Sequence, residues 1–305
     1  MRALLLWAAQ NEWLSTHVPH WGFVKRATKR FLPGEDFDAA LKAGIAFKAQ
    51  SIGSVFTRLG ENIKALTEAT AAVEHYEEVL ERAAAAGLEP ERSVKPTQVG
   101  LDIDPDATFA NLNRLAEKAD TVNGFLWIDM EGSPYTDRTL DLYKRLHGRH
   151  PKVGVCLQAY LYRTSADIYR MLSFKPSIRL VKGAYAEPPD RAFPAKRDVD
   201  ANFLALCALT LPDVSRGRVR LVMGTHDIPL IANVARYADA IGMDRHQLEI
   251  HMLYGIQQAQ QVRLASEGYR VKSLVAYGDA WYAWYLRRLA ERPANVWFVM
   301  RQMFG

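Results

Sequence analysis

Polar and charged side chains stand at the ends of several short apolar segments of this chain. Lys95 ends one such segment, Asp129 the next and Gln158 a third, while Arg179 lies within a fourth. A later apolar segment ends in Thr225-His226-Asp227. Cations, carboxylates and amides that converge on one place can bind a polar organic ligand and stabilise charge that develops while it reacts.

The segment IRLVKGAY, residues 178–185, is the most informative of these. A period of two places Arg179 and Gly183 on one face of a strand and Lys182 on the other. An arginine with apolar neighbours inside a barrel requires an anion or another polar partner. Glycine in a strand suits the close approach of a ligand to the backbone. The pattern indicates an electron-rich heteroaromatic ligand, with a structural pairing between Arg179 and Asp129 as the alternative.

A second cationic feature lies in DAWYAWYLRRLAERPAN, near the end of the chain. Arg287 and Arg288 are adjacent, and Glu291 follows Arg287 by one helical turn. Two guanidinium groups among Trp and Tyr residues would form a clamp for a carboxylate, because each offers a planar fork of donors. The alternative is an ordinary solvated helix face.

Eight apolar segments alternate with amphipathic helical sequence, and they must position these side chains. The predicted strands cover residues 51–56, 92–96, 124–130, 153–159, 178–185, 218–225, 248–253 and 269–276. Strict alternation at this length predicts an α/β fold, a (β/α)8 barrel over residues 51–305 with a helical segment over 1–50 packed on it. An open doubly wound sheet is less favoured, because no G-x-G-x-x-G follows a strand.

Composition narrows the class of protein. The chain has 305 residues, of which 49% are hydrophobic and 24% charged, as in a folded protein. Cys156 and Cys207 lie in apolar stretches, which predicts buried reduced thiols and a cytoplasmic location. The net charge of +5 comes from scattered residues, so no nucleic-acid partner is predicted. No Cys/His cluster accompanies His226, so no metal site is predicted either.

Seven stretches, taken in order, resemble the proline dehydrogenase family: SVKPTQVGL, FLWIDMEG, LQAYLYRT, IRLVKGAYAEP, GTHD, LEIHMLYGI and YLRRLAERPAN. The resemblance implies a distorted (β/α)8 barrel whose last helix lies over the strand ends. It implies oxidation of L-proline to Δ1-pyrroline-5-carboxylate by hydride transfer to N5 of a flavin, FAD, with FMN as the alternative. It also implies a quinone as electron acceptor and peripheral contact with the inner face of the cell membrane.

The resemblance further assigns roles to individual residues. Asp129 and Arg179 would be catalytic, with Asp129 paired to Lys95 and Arg179 near the reactive part of the flavin. The proline pocket would be formed by Lys95, Tyr185, Leu253, Arg287, Arg288 and Glu291. The flavin would be held by Met130, Gln158, Arg179, Val181, Lys182, Gly183, Thr225 and His226. The loop over residues 187–200 would cover the flavin.

The last predicted strand departs from the family pattern. Where the family usually has Tyr-x-Pro-Tyr-Gly, this chain has LVAYG, so that Leu274 replaces the first Tyr and Ala276 the Pro. The loss of an aromatic wall predicts weaker proline binding, or a preference for a hydroxylated or bulkier cyclic amino acid. Two other hypotheses stay open: a flavin-free lyase or aldolase that uses Lys95 or Lys182 as a Schiff-base amine, and a barrel that binds without turnover.

Overall fold

Eight parallel strands close into one barrel in sequence order in the computed structural model, which describes residues 11, 14, 31–60, 63–282 and 286. The strands are β1 Gly53–Arg58, β2 Glu91–Val94, β3 Phe125–Ile128, β4 Val153–Gln158, β5 Ser177–Val181, β6 Arg220–Gly224, β7 Glu249–Leu253 and β8 Arg270–Tyr277. β8 pairs with β1 over the full length of β1 and so closes the ring. The predicted barrel is confirmed, and the open sheet is excluded.

Among the described helices, one precedes β1, the others follow the strands β1 to β7, and together they cover the outside of the barrel. They are α1 Phe37–Lys48, α2 Leu66–Ala85, α3 Pro105–Thr121, α4 Thr136–His147, α5 Thr164–Met171, α6 Lys196–Ser215, α7 Ile228–Ala240 and α8 Gln258–Ser266. Asp36, Asp104 and Asp227 precede α1, α3 and α7, and their carboxylates accept hydrogen bonds from first-turn backbone amides. These amides have no partner within a helix, so the aspartates fix where the three helices begin.

Strand alternation divides the buried side chains into two sets. Leu126 and Ile128 of β3 join the large core between the strands and the helices, whereas Trp127 points into the barrel. The interior apolar cluster consists of Val55, Phe125, Trp127 and Val222, with the half-buried Leu274 packed against it. Both cysteines are buried and free, as predicted.

The predicted strand IRLVKGAY is too long. β5 ends at Val181 because Gly183 has a φ of +116°, which turns the chain out of the extended conformation. Two backbone hydrogen bonds still join this end to the segment after β4, from Ala159 N to Val181 O at 2.7 Å and from Tyr160 N to Lys182 O at 2.9 Å. Lys182, Gly183 and Tyr185 therefore belong to the loop after β5.

Most residues at the two ends of the chain lie outside the part that the structure describes. Of the helical segment predicted over residues 1–50, the described part contains α1. Arg287, Arg288 and Glu291, and with them the helix predicted over the strand ends, lie outside the described residues. Within the described ranges, no helix combines the length and the apolar character needed to cross a membrane.

Candidate active site

Asp129, Arg179 and Ser93 form a hydrogen-bonded group at the carboxyl ends of β2, β3 and β5. Ser93 Oγ donates to Asp129 Oδ1 at 2.7 Å and accepts from Arg179 Nη2 at 2.6 Å. Arg179 Nη2 also makes an ion pair with Asp129 Oδ1. The backbone amide of Asp129 donates to Val94 O at 2.8 Å, which fixes the residue at the end of β3. The alternative left open by the sequence, a pairing between Arg179 and Asp129, is thus present.

Arg179 is charged and buried, with its side chain only 6% exposed. Burial alone would lower the pKa of the guanidinium, but its interactions with Asp129, Cys156 and Glu91 together outweigh burial and raise that pKa. The guanidinium carbon lies 5.1 Å from the centre of the Trp127 ring, which adds a cation–π contact. Arg179 Nη1 is buried, and no hydrogen-bond partner for it exists among the described residues.

Gln158, the last residue of β4, has a similar incomplete set of hydrogen bonds. Its Nε2 donates to Glu131 O at 3.3 Å, whereas its buried Oε1 has no partner within the part of the chain that the structure describes. β4 and β5 are neighbours, with Gln158 beside Val181 in the register. A buried donor and a buried acceptor without partners call for a ligand that supplies both complements. The rim of a flavin ring does so, and these residues therefore fit a flavin.

Gly183 cannot be replaced by a larger residue without a clash. A Cβ atom at this position would lie 2.4 Å from the ring of Tyr160, and the backbone φ of +116° strains any other L-residue. The preceding residue, Lys182, contacts the carboxylates of Asp200 and Asp227, the latter at 2.7 Å. Because its Nζ is engaged by two carboxylates, Lys182 is poorly suited to attack a carbonyl, which disfavours the Schiff-base hypothesis for this residue.

The residues after β6 connect two strand ends. His226 Nε2 accepts a hydrogen bond from the backbone amide of Leu253 at 2.8 Å, which ties the end of β6 to the end of β7. Thr225 is buried, and its Oγ1 accepts from the backbone amide of Asp227 at 3.2 Å. Met130, which follows Asp129, is buried as well. Four predicted site residues therefore lie at the carboxyl ends of strands: Met130, Thr225, His226 and Leu253.

Other predicted contacts remain untested. Lys95 follows β2, and its backbone amide donates to Gln98 Oε1 at 3.1 Å. The described ion pair of Asp129 is with Arg179, so its pairing with Lys95 stays a prediction. Tyr185 lies in the loop after β5, and its role in the pocket also stays a prediction.

The loop predicted to cover the flavin is fastened to its neighbours. Glu187 accepts a hydrogen bond at 2.6 Å from the backbone amide of Ser133, which lies in the segment after β3. Ala192 forms an antiparallel bridge with Leu161, after β4. These contacts place the first part of the loop at the strand ends that carry the candidate site, while its role as a cover stays a prediction.

The opposite end of the barrel carries a buried ionic group that the sequence reasoning missed; here it is called the amino-end cluster. It consists of Glu91, Arg220, Glu249, His251 and Lys272. Glu91, Glu249 and His251 are close enough together to share a metal ion. Arg220 and Lys272 already engage the two carboxylates, and they supply the positive charge that an ion would bring.

Two polar residues near the candidate site were also missed. Ser93 precedes Lys95 by two residues, so strand alternation could have placed both on the inner face of β2. Asp200, which contacts Lys182, lies in α6, and no local pattern distinguishes it from a solvated helix residue.

Solved structures with the same fold include two proline utilization A proteins. The one from Bdellovibrio bacteriovorus, inactivated by N-propargylglycine, superposes with a TM-score of 0.82 at 21% identity and covers 95% of this chain. The D779W mutant from Bradyrhizobium japonicum gives a TM-score of 0.74 at 22% identity over 87% of this chain. This chain spans only 38% and 31% of those two longer chains, and at these identities the likeness concerns the fold alone.

Comparison of sequences identifies the family of the chain in addition to its fold. The model of the family described as proline dehydrogenase matches residues 40–301. Proline dehydrogenase 1 of Bacillus subtilis is 33% identical over 301 residues, which make up 99% of this chain and 98% of that protein. The proline dehydrogenase of Deinococcus radiodurans is 37% identical over 280 residues, 90% of this chain and 89% of that protein. The chain that carries this strand-end site therefore belongs to the proline dehydrogenase family.

Proposed function

We propose that this protein oxidises L-proline to Δ1-pyrroline-5-carboxylate with a bound flavin. The observation that carries the proposal is the group of Asp129, Ser93 and Arg179 at the strand ends, next to the unsatisfied buried atoms of Arg179 and Gln158. Family membership supports the same reaction. When bound, a flavin supplies the redox chemistry by accepting at N5 the hydride that leaves C5 of the substrate.

The residues of the chain would bind and orient the two reactants. Gln158, the Val181–Gly183 segment and the pair Thr225-His226 would hold the flavin, together with Met130. Arg179 is fixed by Asp129 and Ser93 before any ligand binds, so its remaining N–H groups offer positive charge without a cost of reorganisation. FAD is the proposed form of the flavin, with FMN as the alternative.

Binding of the amino acid would depend on charge. Arg287 and Arg288 would grip the substrate carboxylate and Glu291 would complete this end of the pocket, as the resemblance implies. Lys95, Tyr185 and Leu253 would line the remainder. The pocket would hold the substrate ring so that C5 faces the flavin. This positioning of the two reactants would supply most of the rate acceleration that comes from the protein.

Leu274 supports a second candidate, a dehydrogenase of hydroxyproline or another cyclic amino acid. Its side chain is half-buried inside the barrel against Val55, Phe125, Trp127 and Val222. A leucine offers neither the flat face nor the hydroxyl of the tyrosine that the family usually has here. It therefore leaves more room beside the substrate ring, which would suit a substituted ring.

The electron acceptor and the location belong to the proposal as well. A quinone would reoxidise the flavin, and peripheral contact with the inner face of the cell membrane would bring the cytoplasmic protein to that acceptor. Both rest on the resemblance.

An anaerobic titration of the purified protein with L-proline tests the proposal. Bleaching of the visible flavin absorption by proline is the expected result, with trans-4-hydroxy-L-proline titrated in parallel. Bleaching by hydroxyproline alone would favour the second candidate. A yellow protein that neither compound bleaches, or a colourless one that takes up no added flavin, would contradict the proposed oxidation.

A further inference from the structure

Gln98 joins three parts of the backbone behind the strand ends of β1 and β2. Its side chain is buried, and its Oε1 accepts from the backbone amide of Lys95 at 3.1 Å and from Tyr76 Oη at 2.9 Å. Its Nε2 donates to the carbonyl oxygens of Arg58, at 3.0 Å, and of Gly60. One amide group thus fixes the end of β1, the end of β2 and the ring of Tyr76 on α2.

Arg92 extends this network to β8. Its guanidinium carbon lies 3.4 Å from the centre of the Tyr76 ring, and its Nη1 donates to Tyr277 Oη at 3.3 Å. Tyr277 Oη is also 2.8 Å from His75 Nε2. Burial lowers the pKa of His75 to about 4, so the ring is neutral near pH 7. Gln98, Tyr76, Arg92 and Tyr277 are called the outer polar network below.

The outer polar network lies on the helix side of strands whose inner side belongs to the candidate site. Tyr277 and Leu274 are on the same strand, three residues apart, so they face opposite sides of β8. The Tyr277 carbonyl accepts from the amide of Leu59 at 2.7 Å, which connects β8 to the loop after β1. Lys95 lies two residues after Ser93, a member of the site group.

Packing alone does not require these polar groups. Tyr76 and Arg92 are almost completely buried, and an apolar core of the same shape is often at least as stable as a buried polar one. Arg92 Nε and Nη2 are buried without a hydrogen-bond partner among the described residues, but the bonds that the network does make restrict the backbone more than apolar side chains would, because each hydrogen bond has a direction. One backbone partner of this network is the amide of Lys95, a predicted substrate contact, and its member Tyr277 lies three residues after Leu274 on β8.

We propose that the outer polar network positions Lys95 and the part of β8 that contains Leu274, and so sets the affinity of the protein for its cyclic amino acid substrate. The inference rests on the proposed function, in which Lys95 and Leu274 face the substrate. Its members would be positioning residues, because they act from the outer side of the barrel through the backbone of β2 and β8.

Tyr76→Phe in the flavin-loaded enzyme is the test, because it deletes one hydrogen bond to Gln98 and keeps the ring under Arg92. Tyr143→Phe is the matched control: Tyr143 is equally buried, but its hydroxyl accepts from the amide of Ser177 at 3.0 Å, at the start of β5. We expect Tyr76→Phe to raise KM for proline by about fivefold with kcat nearly unchanged. The control should leave KM as in the wild type.

Amide hydrogen exchange of the peptide that contains Lys95, measured without substrate, gives a second readout. Exchange should be faster in Tyr76→Phe than in the wild type and unchanged in Tyr143→Phe. An unchanged KM in Tyr76→Phe, or equal changes in both variants, would overturn the inference. If the wild type fails to oxidise proline, the proposed function is wrong. The exchange rates then decide alone whether the network fixes Lys95, and equal rates in the three proteins overturn it.

Tyr277→Phe tests the other arm of the network, in case Tyr76→Phe does not yield folded protein. It removes the hydroxyl that joins Arg92 to His75 at the end of β8. The expected result is a rise in KM for proline of about the same size, and an unchanged KM counts against the inference.

Discussion

The two ends of the barrel interior contain similar residue types but satisfy them differently. In the amino-end cluster all four carboxylate oxygens of Glu91 and Glu249 have partners, at 2.5–3.0 Å. At the carboxyl end, Arg179 Nη1 and Gln158 Oε1 are buried and lack partners within the described ranges. His251 Nδ1 is the exception in the amino-end cluster, since it too lacks one there.

This difference separates a structural role from a binding role. Buried polar atoms cost free energy unless they are hydrogen-bonded, so a cluster whose carboxylate oxygens are all paired needs no ligand in the folded chain. Buried polar atoms without hydrogen-bond partners in the chain destabilise it until a ligand supplies those hydrogen bonds. The amino-end cluster should therefore act on stability, and the carboxyl end on ligand binding and turnover.

The largest effect is expected for Glu249→Gln in the amino-end cluster. The change removes the charge that faces Arg220 in a buried site, so the free energy of unfolding should fall by about 3 kcal/mol. Urea denaturation followed by circular dichroism measures the change. Asp141→Asn, which removes an exposed ion pair with Arg145, is the control and should cost about 0.5 kcal/mol or less. Equal losses in both variants would show that the amino-end cluster contributes no more to stability than an exposed ion pair.

Acid should remove the contribution of the same cluster. Burial alone would raise the pKa of Glu91, but Arg220 and Lys272 outweigh it and lower that pKa to about 2, from 4.5 for a free side chain. Because the pKa is lowered by folding, the stabilisation is fully present above pH 4.5 and is lost as the pH falls toward 2.

The unfolding free energies of wild type and Glu91→Gln should therefore differ at pH 7 and converge between pH 4.5 and 2. Chemical denaturation at a series of pH values measures the two curves. A difference that is independent of pH would mean that the Glu91 charge contributes nothing.

Asp129→Asn, at the carboxyl end of the barrel, should reduce activity more than stability. Loss of the charge that holds Arg179 should lower kcat/KM for proline by about 100-fold. Its cost in stability should be smaller than that of Glu249→Gln, because the Asp129 side chain is 21% exposed. Steady-state kinetics and urea denaturation of the same preparation measure both quantities. A variant that is strongly destabilised but fully active would contradict the distinction between the two ends.

Leu274→Tyr should have the smallest effect and tests the region between the two ends. The tyrosine ring would restore the wall that the family usually has, so KM for L-proline should fall by about fivefold. The ratio of kcat/KM for proline to that for trans-4-hydroxy-L-proline should rise at the same time. Parallel kinetics with the two substrates measure this ratio. An unchanged ratio would show that Leu274 does not determine which ring is accepted.

Much of the barrel could be predicted because its signals are local. Alternation of apolar strands and amphipathic helices located all eight strands to within a few residues. The main error, the overlong fifth strand, came from Gly183, whose positive φ ends the strand and whose close approach to the Tyr160 ring no periodicity records.

The site itself was predictable only in part. Asp129, Gln158 and Arg179 stood out because a polar residue at the end of an apolar segment lies at the functional end of a barrel strand. The amino-end cluster gave no such signal. Glu91 and Lys272 are separated by 181 positions in the chain, and a charged residue at the start of a strand usually belongs to a loop.

The sequence by itself determined the order of strands and helices, the family of the protein and the residue types at the strand ends. Those properties depend on side-chain periodicity and on the identity of residues within short segments. The tertiary structure decided that Asp129 pairs with Arg179 and that Ser93 contacts both, that Gln98 joins β1 to β2, and that Arg220 lies between two buried carboxylates. Such pairings depend on the register and closure of the barrel, which bring together residues that are distant in the chain.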